Sequence, residues 1–130
     1  MKETNTKPKI LIIDDDTFLL DMYAIKFRES GFDVDVASGG EEALAKIRER
    51  DYAVDILFLD IVMPQMDGFE ILKKIKDEKL IPNAVILALT NLGQKEDMER
   101  GRSLGVKDYI IKAHFTPTEV VGKAREALGA

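Results

Sequence analysis

Acidic side chains follow two apolar runs in this chain, at the point where each run ends. The aliphatic run 10–13 leads into Asp14, Asp15 and Asp16, and a second run leads into Asp60. Such runs are typical of strands buried on both faces of a parallel sheet, and open α/β sheets bind ligands at the carboxyl ends of their strands. Carboxylates crowded together raise each other's pKa unless a cation lies among them. The pattern indicates a site for a hard, oxygen-liganded metal such as Mg²⁺, and with it phosphate chemistry.

Strand-like and helix-like segments alternate along the whole chain. Apolar runs and alternating patterns predict strands at about residues 9–14, 33–37, 56–60, 84–89 and 109–111. Apolar residues at helical spacing predict helices at about residues 17–30, 38–47, 68–76, 94–104 and 116–128. Five βα units predict a parallel sheet with right-handed crossovers and helices on both faces. We expect a flavodoxin-like three-layer (βα)5 sandwich with strand order 2-1-3-4-5, whose switch point lies between the two strands that end in acids.

Local signals mark the ends of several helices. The runs Ser38-Gly39-Gly40-Glu41 and Thr116-Pro117-Thr118-Glu119 each match a capping box, and the second has proline at the first helical position. Asp16 is expected to cap the first helix or to face solvent. Gly31 and Gly105 are expected to end helices.

Length and composition limit the classes of protein that fit. The 130 residues suit one domain, and the absence of cysteine excludes a disulfide framework and a thiolate metal site. No apolar stretch approaches the ~20 residues that span a bilayer, and the first residues lack the apolar segment of a signal peptide. The net charge of −5 argues against a free-standing nucleic-acid binder. We expect a flexible leader over residues 1–8, one domain over residues 9–130, a cytoplasmic location, and no direct contact with nucleic acid or membrane.

In the predicted fold, every strand end contributes to one crevice. The first strand supplies Asp14 and Asp15, and the third, fourth and fifth supply Asp60, Thr90 and Lys112 in turn. The formal charges of three carboxylates, one Mg²⁺ and one lysine cancel. Such a site accepts a dianionic phosphoryl group without a large electrostatic penalty.

This set, in this order, closely resembles the receiver domain of two-component response regulators. The resemblance covers almost the whole chain after the leader, and it rests on the pair 14–15, the segments 59–64 and 67–68, the pair 89–90 and the segment 105–112. It implies a phosphorylation-dependent signalling switch and no enzyme activity beyond self-phosphorylation and self-dephosphorylation. The implied partners are a sensor histidine kinase or phosphotransfer protein and a downstream protein target, with the chain a monomer or weak dimer.

The resemblance also implies roles for the residues around the phosphoryl group. Asp60 would be the phosphoryl acceptor, a carboxylate nucleophile that forms an acyl phosphate. Asp15 and Asp60 would bind Mg²⁺ or Mn²⁺ directly, Asp14 mainly through water, and the Val62 backbone carbonyl would be a further ligand. Lys112 would pair with a phosphoryl oxygen.

Two further residues would carry the signal. Thr90 would turn its hydroxyl toward the phosphate, and Tyr109 would then move inward and change the face made by the fourth helix, fifth strand and fifth helix. That is a shift between conformers that a partner protein can detect. A simple core aromatic on the last strand explains Tyr109 equally well.

The chain departs from the family pattern at three places. Ala113 follows Lys112 where proline after a cis bond is usual, and a cis bond before a non-proline residue costs about 2.5–4 kcal/mol, so we predict a trans bond and a rearranged loop. Asn91 replaces a small residue and either narrows the approach to the site or bonds to the phosphate. Val62 and Leu92 cannot orient an attacking water, so we predict slow loss of the phosphate.

Two other functions compete with the receiver interpretation. The acidic run also resembles the opening of haloacid-dehalogenase-type phosphatases, with Asp14 as nucleophile and Asp16 as general acid, but the final acidic motif is missing and Asp60 has no role there. A receiver-like module that is never phosphorylated is the third possibility, which Asn91 and Ala113 leave open. A nucleotide binder is disfavoured because no Gly-x-x-x-x-Gly-Lys loop is present.

Overall fold

Five parallel strands form one sheet with helices on both faces in the computed structural model, which describes residues 7–63, 66–90 and 95–129. The strands are β1 (Lys9–Ile13), β2 (Asp33–Ala37), β3 (Ile56–Asp60), β4 (Val85–Thr90) and β5 (Val106–Ile111). The helices are α1 (Thr17–Glu29), α2 (Gly40–Ile47), α3 (Gly68–Asp77), α4 (Lys95–Ser103) and α5 (Pro117–Ala127), with a 3₁₀ turn at Lys112–His114 before α5. The strand order is β2-β1-β3-β4-β5. The predicted flavodoxin-like fold is confirmed.

The central strands supply both hydrophobic cores, because successive side chains of a strand point to opposite faces of the sheet. In β1, Ile10 and Ile12 join the core that includes Phe27 of α1, whereas Leu11 and Ile13 join the core on the other face. All four β1 side chains named here are fully buried. This double burial is the physical reason for the unbroken apolar run in the sequence.

The register of the strands brings their carboxyl ends to one edge of the sheet. Ile13 of β1 lies opposite Leu59 of β3, and Thr90 of β4 lies opposite Ile111 of β5. Asp60, the last residue of β3, lies opposite a residue one step from the end of β4. The residues that end or follow these strands therefore lie side by side.

Two of the predicted helix starts are confirmed. The Asp16 carboxylate caps α1, where it accepts hydrogen bonds from the backbone N–H groups of Phe18 and Leu19 at 3.1 and 3.2 Å. Thr116 and Glu119 form the reciprocal bonds of a capping box ahead of Pro117 in α5. Capping of this kind fixes where a helix begins because it satisfies donors that have no partner within the helix.

The predicted capping box at the start of α2 is wrong by one residue. Gly39, with extended backbone angles, is the N-cap, so α2 begins at Gly40. The Ser38 N–H and hydroxyl both donate to the Glu42 carboxylate at 3.0 Å, and Glu41 does not make the predicted bond. Glu42 is the third helical residue once the N-cap is Gly39, which is the position from which a glutamate reaches back to the preceding turn.

One edge strand and two glycines explain further boundaries of the elements. β5 begins at Val106, three residues earlier than predicted. The sequence pattern missed this start because the exposed Lys107 and Asp108 interrupt the apolar pattern of the edge strand. Gly31 and Gly105 have φ values of 93° and 105°, the left-handed conformation that ends helices, as predicted.

The first six residues of the predicted leader and the predicted start of α4 at Gln94 lie outside the described residues. Among the described residues, no helix has the length and apolar character needed to span a bilayer.

Candidate functional site

Three carboxylates meet at the carboxyl edge of the sheet. One oxygen from each of Asp14, Asp15 and Asp60 lies within 4.8 Å of the others. Asp14 directly follows β1 and is completely buried, Asp60 ends β3 and is 6% exposed, and Asp15 faces solvent. The structure thus brings together the three acids that the sequence placed at one site.

Lys112 supplies the positive charge of this cluster. Its Nζ donates to Asp14 Oδ2 at 2.7 Å and to Asp60 Oδ2 at 3.2 Å. The side chain is almost fully buried and follows β5 directly. Burial alone would lower the pKa of Lys112, but the Asp14 hydrogen bond and the Asp60 charge prevail and raise it. Lys112 is therefore a fixed cation in contact with both buried acids.

Backbone N–H groups hold the other oxygens of the two buried acids. The Asp16 N–H donates to Asp14 Oδ1 at 3.0 Å, and the Val62 N–H donates to Asp60 Oδ1 at 3.1 Å. Despite these bonds, burial raises the pKa of Asp60 to about 7; the Asp14 charge acts in the same direction and Lys112 opposes it. Burial and the Asp14 charge therefore outweigh the effect of Lys112 on Asp60.

The donor set fits a hard divalent cation. Three carboxylates beside a single ammonium leave an excess of negative charge that one divalent ion would balance. Carboxylate oxygens are the ligands that Mg²⁺ prefers, and the exposed Asp15 leaves one side of the cluster open to the waters that Mg²⁺ retains. The chemistry of the residues present therefore agrees with the predicted metal.

Thr90 and Tyr109 lie on the neighbouring strands, one on each side of the pairing between β4 and β5. Thr90 is buried at the end of β4, next to the strand that leads into Lys112. Tyr109 is also buried, and its Oη donates to the backbone carbonyl of Asp97 in α4 at 2.8 Å. Tyr109 thus faces inward and links β5 to α4. This position agrees with both interpretations of Tyr109, as a core aromatic residue and as a switch residue.

The peptide bond after Lys112 has the predicted trans form, whereas the predicted rearrangement of the loop stays a prediction. Every peptide bond among the described residues is trans, so the bond between Lys112 and Ala113 is trans, and the chain continues as a 3₁₀ turn. The Val62 side chain is 70% exposed beside the acids. Asn91 and Leu92 lie outside the described residues, so the hypotheses about them stay predictions.

A cavity beside the acids was missed by sequence reasoning. It has a volume of about 350 Å³, and it opens between the start of α2 and the segment that joins β3 to α3. Asp15, Glu41, Glu42 and Glu70 line it together with Met66 and neighbouring residues. The adjacent glycines at the start of α2 indicated an open surface, but their approach to the β3–α3 segment depends on tertiary packing.

Comparison with known proteins identifies the family. A model of the response regulator receiver domain matches residues 10–125. The chain belongs to this family. Receiver domains bind Mg²⁺ at a cluster of aspartates, and in this receiver domain Asp14, Asp15 and Asp60 form such a cluster. The family match argues against the phosphatase alternative, and Asp16, the general acid of that alternative, caps α1.

Relatives and solved structures agree with this assignment. The receiver domain is 34% identical over 128 residues to the transcriptional regulatory protein ResD of Bacillus subtilis, with 98% of this chain and 50% of the relative covered. It is 36% identical over 120 residues to the alkaline phosphatase synthesis transcriptional regulatory protein PhoP of the same organism, with 92% and 48% covered. A CheY-like receiver domain from Methanospirillum hungatei JF-1 has a TM-score of 0.85 at 29% identity, with 95% of each chain covered.

The names of the relatives bear on the expectation that the protein does not contact nucleic acid. The chain spans about half the length of the curated relatives named here, and both are named as transcriptional regulatory proteins. Our expectation that the protein makes no direct contact with nucleic acid is therefore not supported. The net charge of this receiver domain is no guide to other segments of such proteins.

Proposed function

We propose that this receiver domain is a phosphorylation-dependent switch and that Asp60 accepts the phosphoryl group. The observation that carries the proposal is the shared contact of Lys112 with Asp14 and Asp60 beside the exposed Asp15. A nucleophilic carboxylate, a fixed cation and an acidic metal cluster are the parts that phosphoryl transfer to a carboxylate needs.

The chemistry follows from the positions of these groups. An oxygen of ionised Asp60 bonds to phosphorus while the bond from phosphorus to the donor breaks, and the donor keeps that electron pair. Lys112, 3.2 Å from Asp60 Oδ2, is placed to pair with an oxygen of the transferred group. The Val62 N–H holds Asp60 in its orientation. Mg²⁺ or Mn²⁺ held by Asp14, Asp15, Asp60 and the Val62 carbonyl would neutralise charge on the phosphoryl oxygens.

The switch would run through Thr90 and Tyr109. The phosphorylated site would favour the conformer in which Thr90 turns to the phosphate, and it would hold Tyr109 in the inward place against α4 that the ring already occupies in the structure. The bond from Tyr109 to the Asp97 carbonyl supports this proposal, because it connects the strand that carries Lys112 to a surface helix. A downstream protein would then detect the face formed by α4, β5 and α5. A histidine kinase or a histidine phosphotransfer protein would supply the phosphoryl group.

Chemical phosphorylation tests the proposal. The protein is incubated with Mg²⁺ and acetyl phosphate, and the modified residue is mapped by mass spectrometry, with beryllofluoride binding as a parallel measurement. We expect label at Asp60, none in Asp60→Asn, and normal labelling in Asp16→Asn, a nearby substitution that preserves a capping side chain. Turnover through Asp14 would support a phosphatase, and no reaction would support a module that is never phosphorylated.

A further inference from the structure

Gly101 lies in the interior of α4 and is buried against the ring of Tyr109. A Cβ atom at position 101 would overlap Tyr109 Oη, and it would lie 2.8 Å from Cζ and 3.2 Å from Cε1. Approaches under 3.0 Å are essentially never made by real Cβ atoms. Any side chain at position 101 therefore requires the Tyr109 ring to shift from its observed place.

The hydrogen bond of Tyr109 falls on the same turn of the helix. Its Oη donates to the carbonyl of Asp97, which is four residues before Gly101 and is the acceptor that α-helical geometry assigns to the Gly101 N–H. The phenol thus packs on the turn between Asp97 and Gly101. That position is accessible only because one residue of the turn has no side chain.

A second helical glycine gives a matched reference. Gly122 lies in the interior of α5, and a Cβ there would meet nothing within 4 Å. Glycine is the least favourable residue other than proline in a helix interior, so alanine at either position adds the same helix propensity. The two positions differ in what the added methyl group meets.

We infer that Gly101 is the positioning residue that admits Tyr109 to its inward place, so that the size of side chain 101 sets the balance between the inward and outward conformers of Tyr109. The inference deepens the proposed function, which makes Tyr109 the carrier of the signal. The packing itself does not depend on phosphorylation.

The first test is a double-variant cycle read by thermal and urea midpoints. Gly101→Ala is measured in the wild-type background and in Tyr109→Ala, with Gly122→Ala as the reference. We expect Gly101→Ala to lower the midpoint, or to raise it less than Gly122→Ala does, when Tyr109 is present. In Tyr109→Ala the same substitution should raise the midpoint as much as Gly122→Ala does. Equal effects of Gly101→Ala in the two backgrounds would overturn the inference, even if the single variant is unstable.

The second test reads the conformer directly by fluorine NMR of protein labelled with fluorotyrosine. The Tyr109 signal is identified by its loss in Tyr109→Phe, and its exposure is measured by the broadening that a soluble gadolinium chelate causes. We expect Tyr109 to be protected in the wild type and in Gly122→Ala but exposed in Gly101→Ala. A protected Tyr109 signal in Gly101→Ala would contradict the inference.

Phosphorylation is then measured separately in the same variants. Gly101→Ala should still be labelled at Asp60 by acetyl phosphate, while beryllofluoride should fail to restore protection of Tyr109. Absence of label in the wild type would count against the proposed function alone, because the cycle and the unphosphorylated spectrum test the packing without it. Return of Tyr109 to full protection in beryllofluoride-bound Gly101→Ala would overturn the inference.

Discussion

Replacing Asp60 by asparagine should stabilise the metal-free protein at alkaline pH. Burial and the Asp14 charge raise the pKa of Asp60 from 3.8 to about 7, so the folded state disfavours the ionised carboxylate. A difference of about three pKa units corresponds to about 4 kcal/mol, which is an upper limit for the stabilisation because solvent reaches the site through the exposed Asp15. Asparagine has nearly the same shape and carries no charge. We therefore expect Asp60→Asn to raise the free energy of unfolding by roughly 2 to 4 kcal/mol above neutral pH.

The sign of the pH dependence follows from proton binding. Between pH 3.8 and about 7 the folded protein keeps a proton on Asp60 that the unfolded chain has released. The contribution of Asp60 to stability therefore falls as the pH rises through this window and is constant above it. The advantage of Asp60→Asn should be close to zero at about pH 4 and reach its maximum at about pH 8.

Urea unfolding in the presence of a chelator measures this difference. Wild type and Asp60→Asn are compared across the window, with Asp21→Asn on the exposed surface of α1 as a control. The control should change the free energy of unfolding by less than about 0.5 kcal/mol at every pH. An advantage of Asp60→Asn that is the same at both ends of the window, or a loss of stability at alkaline pH, would refute the electrostatic reasoning.

Three further outcomes are expected around the same site. Lys112→Met should lower the free energy of unfolding by about 3–5 kcal/mol without metal, because Asp14 and Asp60 lose their shared cation; urea titration at neutral pH checks this, and a loss below about 1 kcal/mol would contradict it. Mg²⁺ at about 100 times its dissociation constant should stabilise the wild type by about 2.7 kcal/mol and Asp60→Asn by less, as thermal midpoints would show. Val62→Asn with Leu92→Glu should shorten the lifetime of the acyl phosphate in a phosphate-release assay, and an unchanged lifetime would exclude a role for these side chains.

The strand order and the gathering of the acids could be predicted because they follow from short-range pattern and topology. An unbroken apolar run such as that of β1 requires burial on both faces, and parallel strands in register end at one edge. The position of Lys112 beside Asp14 and Asp60 is a consequence of that arrangement, since each residue directly follows or ends its strand.

Features that depend on the approach of two elements could not be predicted in the same way. The sequence marks Gly101 only as an unfavourable residue within a polar helix, and its contact with Tyr109 depends on how α4 lies on β5. The start of α2 was misplaced because Ser38 and Gly39 are both acceptable N-caps, and the backbone angles at Gly39 decided between them. The cavity beside Asp15 likewise depends on how the start of α2 lies relative to the segment that joins β3 to α3.

The chemistry of the site and its cost to stability have the same origin. Pairing two buried carboxylates, Asp14 and Asp60, with one lysine lowers the stability of the fold. Burial raises the pKa of Asp60, and one negative charge stays uncompensated when both acids are ionised. In the proposed function, that uncompensated charge would give the site its affinity for a divalent cation, and the ion would in turn favour the ionised form of Asp60 that would attack phosphorus. Metal binding and phosphoryl acceptance should therefore weaken together in any variant that removes this uncompensated negative charge. Such variants should also be the more stable ones in the presence of a chelator, which sets them apart from variants that lose function by unfolding.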